Sequence, residues 1–345
     1  MKKLPLHFKL ADKKADFLLA ACVTQTCQIE GITQAGIPGL IHMTPTLDAE
    51  FIVTGKVFSL GEIAETPKGV PTPALITRAA QILRPFESLK ILNLGLEIEP
   101  KNCELLDFEM QPSLRIDTGA GINALEVFEK GKNFAKHYKL TGDYLILGES
   151  TPSGTTTAQA SAEVLGFDTK DAFASSFKQN PQSIKTKVIK EALSQIQTHM
   201  TSFEKLGLVS DNMLIFTAGF LIQASKRFPL VLAGGTQMAA ALLIADTLAK
   251  ESDCTINAEN LYHLTTKWVA EDSHSDIDKL LQQLSFPLQA YYADFDFSRT
   301  SHPALKLYDQ GEAKEGVGAG ACLAYMQANG IDIATITKTI ESFLK

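Results

Sequence analysis

The chain has 345 residues, 45% of them hydrophobic and 21% charged, and its 32 Lys+Arg against 39 Asp+Glu leave a formal net charge of −7. This composition excludes disorder, collagen and coiled coil, and the acidic balance provides no positive field to draw the chain onto nucleic acid. Five scattered cysteines, Cys22, Cys27, Cys103, Cys254 and Cys322, form no C-x-x-C pair and have no histidine at zinc-ligand spacing, which points to a reducing cytoplasm and to no metal.

Near the N-terminus, Leu19-Ala20-Ala21-Cys22 resembles a lipoprotein cleavage box. The apolar run Phe17–Val23 is very short for a leader, however, and Asp12 and Asp16 stand in or beside its basic start, so a buried helix is expected. The stretch from about 45 to 73 is punctuated by Pro45, Pro67, Pro71 and Pro73 and reads as a surface excursion, with Asp48 and Glu50 on a surface loop. Apolar runs at 89–95, 143–148, 212–219 and 229–235 suit strands covered on both faces. Helical spacing follows at 157–165, 183–199, 237–250 and 276–284, and again over Ile331–Lys345. Asp246 interrupts the longest apolar stretch, so no run approaches the ~18 residues of a membrane span. Alternating β and α predicts an α/β fold with a doubly wound, mostly parallel sheet whose ligands bind beyond the carboxyl ends of the strands.

Three glycine-containing turns fall at or near such strand ends. Gly148-Glu149-Ser150-Thr151-Pro152-Ser153-Gly154-Thr155-Thr156-Thr157 follows a strand and opens a helix. Unpaired N–H groups and hydroxyls at a positive helix end suit a phosphate dianion, although one Ser or Thr would already cap an ordinary helix. The turn lacks the lysine of a Walker loop and the spacing of G-x-G-x-x-G, so a mononucleotide phosphate at Ser153, Gly154, Thr155 and Thr156 fits better than ATP or a dinucleotide. Glu149 could take hydrogen bonds from ribose hydroxyls or be a solvated loop carboxylate. Gly234-Gly235-Thr236-Gln237 either lines the same cleft or serves close strand–helix packing. Lys314-Glu315-Gly316-Val317-Gly318-Ala319-Gly320 sets a carboxylate among small residues, either as a partly desolvated base or as a turn that needs positive φ. Glu312 reads as solvated, and Asp272-Ser273-His274-Ser275-Asp276 as a loop and helix cap rather than a metal box. Asp117-Thr118-Gly119-Ala120-Gly121 is a poor match to a pyrophosphate loop, and no motif supports a covalent nucleophile.

These motifs, in this order, resemble the nicotinate-nucleotide:dimethylbenzimidazole phosphoribosyltransferase (CobT) family, most closely its archaeal and cyanobacterial branch. Gly36-Ile37-Pro38-Gly39 and Met43-Thr44-Pro45-Thr46-Leu47-Asp48-Ala49-Glu50 also fit, so the resemblance covers about residues 15 to 330. It implies a Rossmann-like core over residues 71–315 and a smaller helical domain built from residues 1–70 and 316–345, working as a homodimer. It further implies transfer of 5-phosphoribosyl from nicotinate mononucleotide to a benzimidazole- or purine-type base, without cofactor, metal, nucleic acid or membrane. Glu315 then corresponds to the general base, and Glu149 with its turn to the ribose- and phosphate-binding loop; Gly234, Gly235, Thr236, Gly316 and Gly318 line the substrate. Ser153 replaces a glycine usual in the branch, and Lys314 a glycine of the better-known bacterial members. Adenine or a phenol as acceptor, or a non-catalytic nucleotide-binding module, are the competing readings.

Overall fold

The computed structural model describes residues 1–179 and 181–344. At its centre lies an eight-stranded sheet, every paired strand parallel: β1 (Lys2–Lys3), β2 (Ala15–Ala21), β3 (Ser88–Asn93), β4 (Leu105–Asp107), β5 (Tyr144–Ser150), β6 (Leu230–Ala233), β7 (Leu261–Thr266) and β8 (Gln289–Ala293). The strand order is β1-β8-β7-β6-β5-β2-β3-β4. From β2 in mid-sheet the chain adds β3 and β4 on one side, then returns to lay β5, β6, β7 and β8 on the other. This is the doubly wound arrangement expected from the sequence, and its order reverses between β2 and β5.

Period-2 alternation divides the strand side chains between two cores. Leu18, Ala20, Leu145, Leu147, Leu230 and Leu232 face one. Phe17, Leu19, Ala21, Ile146, Val231 and Ala233 face the other. Thirteen α-helices among the described residues connect and cover the strands: α1 (Thr44–Thr54), α2 (Ala74–Leu83), α3 (Ala124–His137), α4 (Gly154–Val164), α5 (Gln182–Leu193), α6 (Ser202–Val209), α7 (Asn212–Ala224), α8 (Thr236–Glu251), α9 (Lys267–Ala270), α10 (Ile277–Leu281), α11 (Pro303–Lys306), α12 (Ala319–Ala328) and α13 (Ile333–Glu341). Helices α3, α4, α7 and α8 bury the first face, and α1, α2, α12 and α13 the second. Helix α2 packs against α1, α12 and α13, so elements from both chain ends share one layer. Among the described residues no helix is long and apolar enough to cross a membrane.

Four elements differ from the sequence expectation. The run at 17–23 is mostly strand, not helix: β2 lies between β3 and β5 and is fully buried, and a short run apolar at every position does not distinguish the two. Residues 212–219 belong to helix α7, not to a strand. The Asp211 carboxylate caps it, accepting from Leu214 N–H at 2.9 Å, and the helix is apolar all round because it is buried all round. The prolines at 45–73 do not mark a mere surface excursion. Pro45 sits in the first turn of α1, where a missing N–H costs nothing, and Gly55 ends that helix in the left-handed region at φ 76°. The helical pattern over 183–199 breaks after α5, and α6 starts on a capping box between Thr201 and Glu204.

Candidate active site

The three glycine turns meet at the carboxyl edge of the sheet. Gly148 on β5 is in register with Ala233 on β6, so Glu149 comes beside Gly234-Gly235. From the far end of the chain, Val317 N–H donates to the Glu149 carbonyl at 2.7 Å, and its own carbonyl accepts from Thr77 Oγ1 at 2.6 Å. Glycine is needed where these backbones touch. A β-carbon on Gly148 would fall 3.0 Å from the Gly318 nitrogen, and Gly318, at φ 76°, leaves the Phe17 ring only 3.0 Å from where its own β-carbon would stand. Gly234 and Gly235 lie between two acidic side chains. A β-carbon on the former would be 3.9 Å from Glu149 Cγ, and on the latter 3.7 Å from Glu315 Cγ. The result is one cleft lined by both glutamates and by all three turns.

Glu315 precedes α12 and is held by four donors. Oε2 accepts from Thr266 N–H at 2.8 Å and Thr265 Oγ1 at 3.1 Å; Oε1 accepts from Gly320 N–H at 3.1 Å and Gly316 N–H at 3.2 Å. Burial pushes its carboxyl up to about 7, against those four bonds, which favour the charged form. Near neutral pH it is therefore a fixed group able to take up a proton. Glu149 is buried, and its Oε2 accepts from Gln237 Nε2 at 2.9 Å. Burial pushes this carboxyl up to about 8, with Gln237 opposing and the negative Glu315 and Asp211 adding to the rise.

The start of α4 is built differently. Ser153 adopts the left-handed region at φ 63°, where a glycine would carry no steric cost. The hydroxyls of Thr151, Ser153 and Thr156 are buried without a hydrogen-bond partner. Thr155 Oγ1 accepts from Lys185 Nζ at 3.3 Å, and that ammonium also reaches the Ala174 carbonyl at 3.2 Å. Lys185 is only 2% exposed, no carboxylate bonds to it among the described residues, and burial followed by repulsion from Lys314 pushes it down to about 7. Orphan hydroxyls and a buried lysine without a carboxylate partner, at a helix N-terminus, are groups chemically suited to an anion.

Some residues expected at the site have other duties. The N–H groups of Gly154 and Thr156 are used in the turn itself, on the carbonyls of Thr151 and Ser153. Gly154 lines the cleft and also lies against Gln237: a β-carbon would fall 2.7 Å from Gln237 Cδ, so a side chain here would press on the hydrogen-bond partner of Glu149. The Thr236 hydroxyl accepts from Ala174 N–H at 3.2 Å and holds that strip of the rim. Lys314 is tied to Asp272 in a buried ion pair at 2.7 Å, and Asp276 caps α10, as expected of that segment. Glu312 is buried rather than solvated: Gln34 Nε2 donates to it at 2.6 Å and Lys68 Nζ at 2.5 Å, which binds the rim segments at 34 and 68 to the body.

Two further side chains went unassigned in the sequence. Lys185 follows the buried face of α5 with Val188, Ile189 and Ala192, and a lysine at an apolar-face position was the available signal. Asp48, expected on a surface loop, is buried on α1 and lines the cleft.

Comparison with known proteins agrees with this geometry. A family model described as Phosphoribosyltransferase matches residues 120–264. The chain is 38% identical to the UPF0284 protein of Sulfolobus acidocaldarius over 333 residues, covering 94% of this chain and 93% of the relative. It is 34% identical to the UPF0284 protein of Metallosphaera sedula, covering 97% and 94%. Among solved structures it is similar to the nicotinate-nucleotide-dimethylbenzimidazole phosphoribosyltransferase of Thermus thermophilus, with TM-score 0.61 and 16% identity over 96% of this chain and 83% of that one. The structure described as CobT from the same organism gives TM-score 0.60 and 17% identity, covering 96% and 84%. At such identities the structural likeness speaks for the fold.

Proposed function

The chain belongs to the UPF0284 proteins, and from that premise, with its match to a phosphoribosyltransferase family model and its CobT-like fold, we propose that it moves 5-phosphoribosyl from nicotinate mononucleotide to a nitrogen of a benzimidazole- or purine-type base. The products are nicotinate and an α-riboside phosphate. The observation that carries the reading is the meeting of Glu315, Glu149 and the open start of α4 in one cleft.

In this reading the donor phosphate sits on the orphan hydroxyls of Thr151, Ser153 and Thr156, with Lys185 supplying positive charge. Glu149, which its surroundings keep largely protonated at neutral pH, meets a ribose hydroxyl. The nicotinate ring nitrogen is formally cationic in the donor and leaves neutral with the electron pair of the broken C–N bond. The leaving group therefore needs no proton, and the sugar passes through an oxocarbenium-like state that the Glu315 carboxylate can stabilise. The incoming imidazole nitrogen forms the new C–N bond on the opposite face, which inverts the anomeric carbon, and its ring proton goes to Glu315.

Chromatography of nicotinate released from nicotinate mononucleotide, with and without candidate bases, tests the reading. Base-dependent release together with mass-spectrometric detection of the α-riboside phosphate is expected; no release with any imidazole-type base overturns it. The same reading makes the working unit a homodimer, to be checked by light scattering.

A further inference from the structure

The walls of the cleft are of two kinds. One half carries the hydroxyls of the α4 start. The other is lined by Ala64, Val70, Pro71, Pro73 and Val317, an apolar slot suited to the faces of a flat ring. Apolar walls fix the plane of a ring but not which ring enters, so specificity falls to the polar groups at its edge.

Helix α1 supplies such a group. Its two carboxylates, two residues apart, leave the helix in different directions. Glu50 turns away from the cleft and accepts from the N–H groups of Phe58, Ser59 and Lys101 at 2.6, 3.0 and 2.9 Å, a purely local fastening. Asp48 turns into the cleft and is 1% exposed. Its Oδ1 accepts from Thr72 Oγ1 at 2.6 Å and its Oδ2 from Ser150 Oγ at 2.7 Å. Thr72 stands between the two prolines of the slot, and Ser150 is the neighbour of Glu149, so the carboxylate is held at the junction of slot and reaction centre. Both partners are neutral hydroxyls, and no ion pair among the described residues involves Asp48. Each oxygen thus keeps an unfilled acceptor position in a site largely withdrawn from water. Of the other acids of the cleft, Glu315 is met by four donors, Glu65 is exposed and keeps its water, and Glu149, which accepts from Gln237, is taken up by the ribose in the reading above.

We propose that Asp48 selects the acceptor base, by taking a hydrogen bond from an amino or hydroxyl group on the edge of its ring. The proposal rests on the transfer reading above and narrows its acceptor. A methylated edge placed against Asp48 leaves the remaining acceptor positions of the buried carboxylate empty, whereas an N–H or O–H fills one of them. Glu315 and Asp48 then divide the work on the base: the first takes the proton of the attacking ring, the second reads a substituent that does not react.

The test is equilibrium binding of matched bases to the full chain by calorimetry, with turnover measured in parallel. Adenine is compared with purine, and 5-hydroxybenzimidazole with benzimidazole, pairs that differ only in the donor group. The donor-bearing member is expected to bind at least about ten-fold more tightly in each pair, and Asp48→Ala to reduce the preference to within about three-fold while nicotinate mononucleotide binds as before. Equal or absent binding within both wild-type pairs overturns the proposal, as does a preference that survives in a folded Asp48→Ala. The wild-type pairs decide the matter by themselves if that variant does not fold. A preference without nicotinate release from any base sinks the transfer reading and leaves Asp48 as a binding determinant; release without a preference does the reverse.

Discussion

Of the helices that begin in this cleft, α12 and α4 treat negative charge at their starts in opposite ways. Before α12 the chain brings its own anion: the Glu315 carboxylate accepts from Gly316 and Gly320 N–H, and Thr265 and Thr266 complete its shell. Before α4, among the described residues, no carboxylate accepts from the N–H groups of the helix start; three hydroxyls are unpartnered and the buried Lys185 meets no carboxylate. The same physical feature, a positive helix end with small residues around it, is closed in one case and open in the other. In the proposed transfer the closed start fixes the proton acceptor and the open one takes the phosphate.

The largest effect that would sharpen this contrast is on the closed side. Glu315→Gln is expected to lower kcat by about 10²–10⁴, roughly 3–5 kcal/mol, with binding of nicotinate mononucleotide nearly intact by calorimetry. The rate should carry its own signature. Because burial raises Glu315 to about 7, its charged, proton-accepting form is lost as pH falls through that value. Wild-type kcat/KM should therefore drop below about pH 7, and the variant should lack that limb. Normal turnover in Glu315→Gln would break the assignment.

The stability of the empty protein follows from the same acids with the sign worked the other way. Glu149, Glu315 and Asp48 are raised to about 8, 7 and 6, each by burial. A raised carboxyl contributes stability that is present in full below its unfolded value and is lost as pH rises through the folded one. Melting temperatures across pH 5 to 9 should decline most steeply between about 5 and 7, where these carboxyls keep protons that the unfolded chain has released, and level off above 7 as the lowered Lys185 opposes the last of them; the decline should be less steep for Glu149→Gln. An unchanged slope in that variant would mean Glu149 is ionised at neutral pH.

How much of this could be read beforehand depends on what each residue depends on. The meeting of 148–157 with 234–237 was legible because glycines at the ends of parallel strands have few positions to occupy in a doubly wound sheet, whereas 314–320, which precedes α12 rather than ending a strand, was placed there by the order of the motifs. Asp48 was not, since the prolines around it have the same appearance in a loop as in the first turn of a helix; the pairing of Pro45 with Gly55 was the sign that separates them. Residues 212–219 and 17–23 failed for a single reason: an element covered on every side loses the periodicity that tells helix from strand. The closeness of Gly154 to Gln237, the hydrogen-bond partner of Glu149, was not legible, because it depends on the position of a neighbour 83 residues away in the chain.

On the open side, Lys185→Met is expected to weaken nicotinate mononucleotide and inorganic phosphate alike by about 10–100-fold while leaving free nicotinate unaffected, as the loss of a charge-assisted hydrogen bond of about 1.5–3 kcal/mol requires. Lysine pushed down to about 7 by burial is mostly neutral at pH 8, and a dianion beside it restores the proton. Titrations at pH 8 in buffers of different ionisation enthalpy should therefore register proton uptake on donor binding in the wild type and none in the variant. Equal losses for nicotinate and its mononucleotide would make Lys185 a packing residue and erase the difference between the two helix starts.

The smallest effect examines whether the open start is strained for a purpose. Ser153 holds φ 63° with a buried hydroxyl that meets no partner, two unfavourable features at one position. Were the turn merely structural, Ser153→Gly would relieve both, raising stability by about 1 kcal/mol without other consequence. If the hydroxyl instead awaits phosphate, the same change should raise the melting temperature of the empty protein and weaken nicotinate mononucleotide several-fold. The gain in melting temperature should then shrink when both proteins are melted with saturating donor, because the ligand stabilises the wild type more. The strain at Ser153 and the vacant acceptor geometry of its neighbours then have a common cause, which the closed start at Glu315, already satisfied by its own chain, does not share.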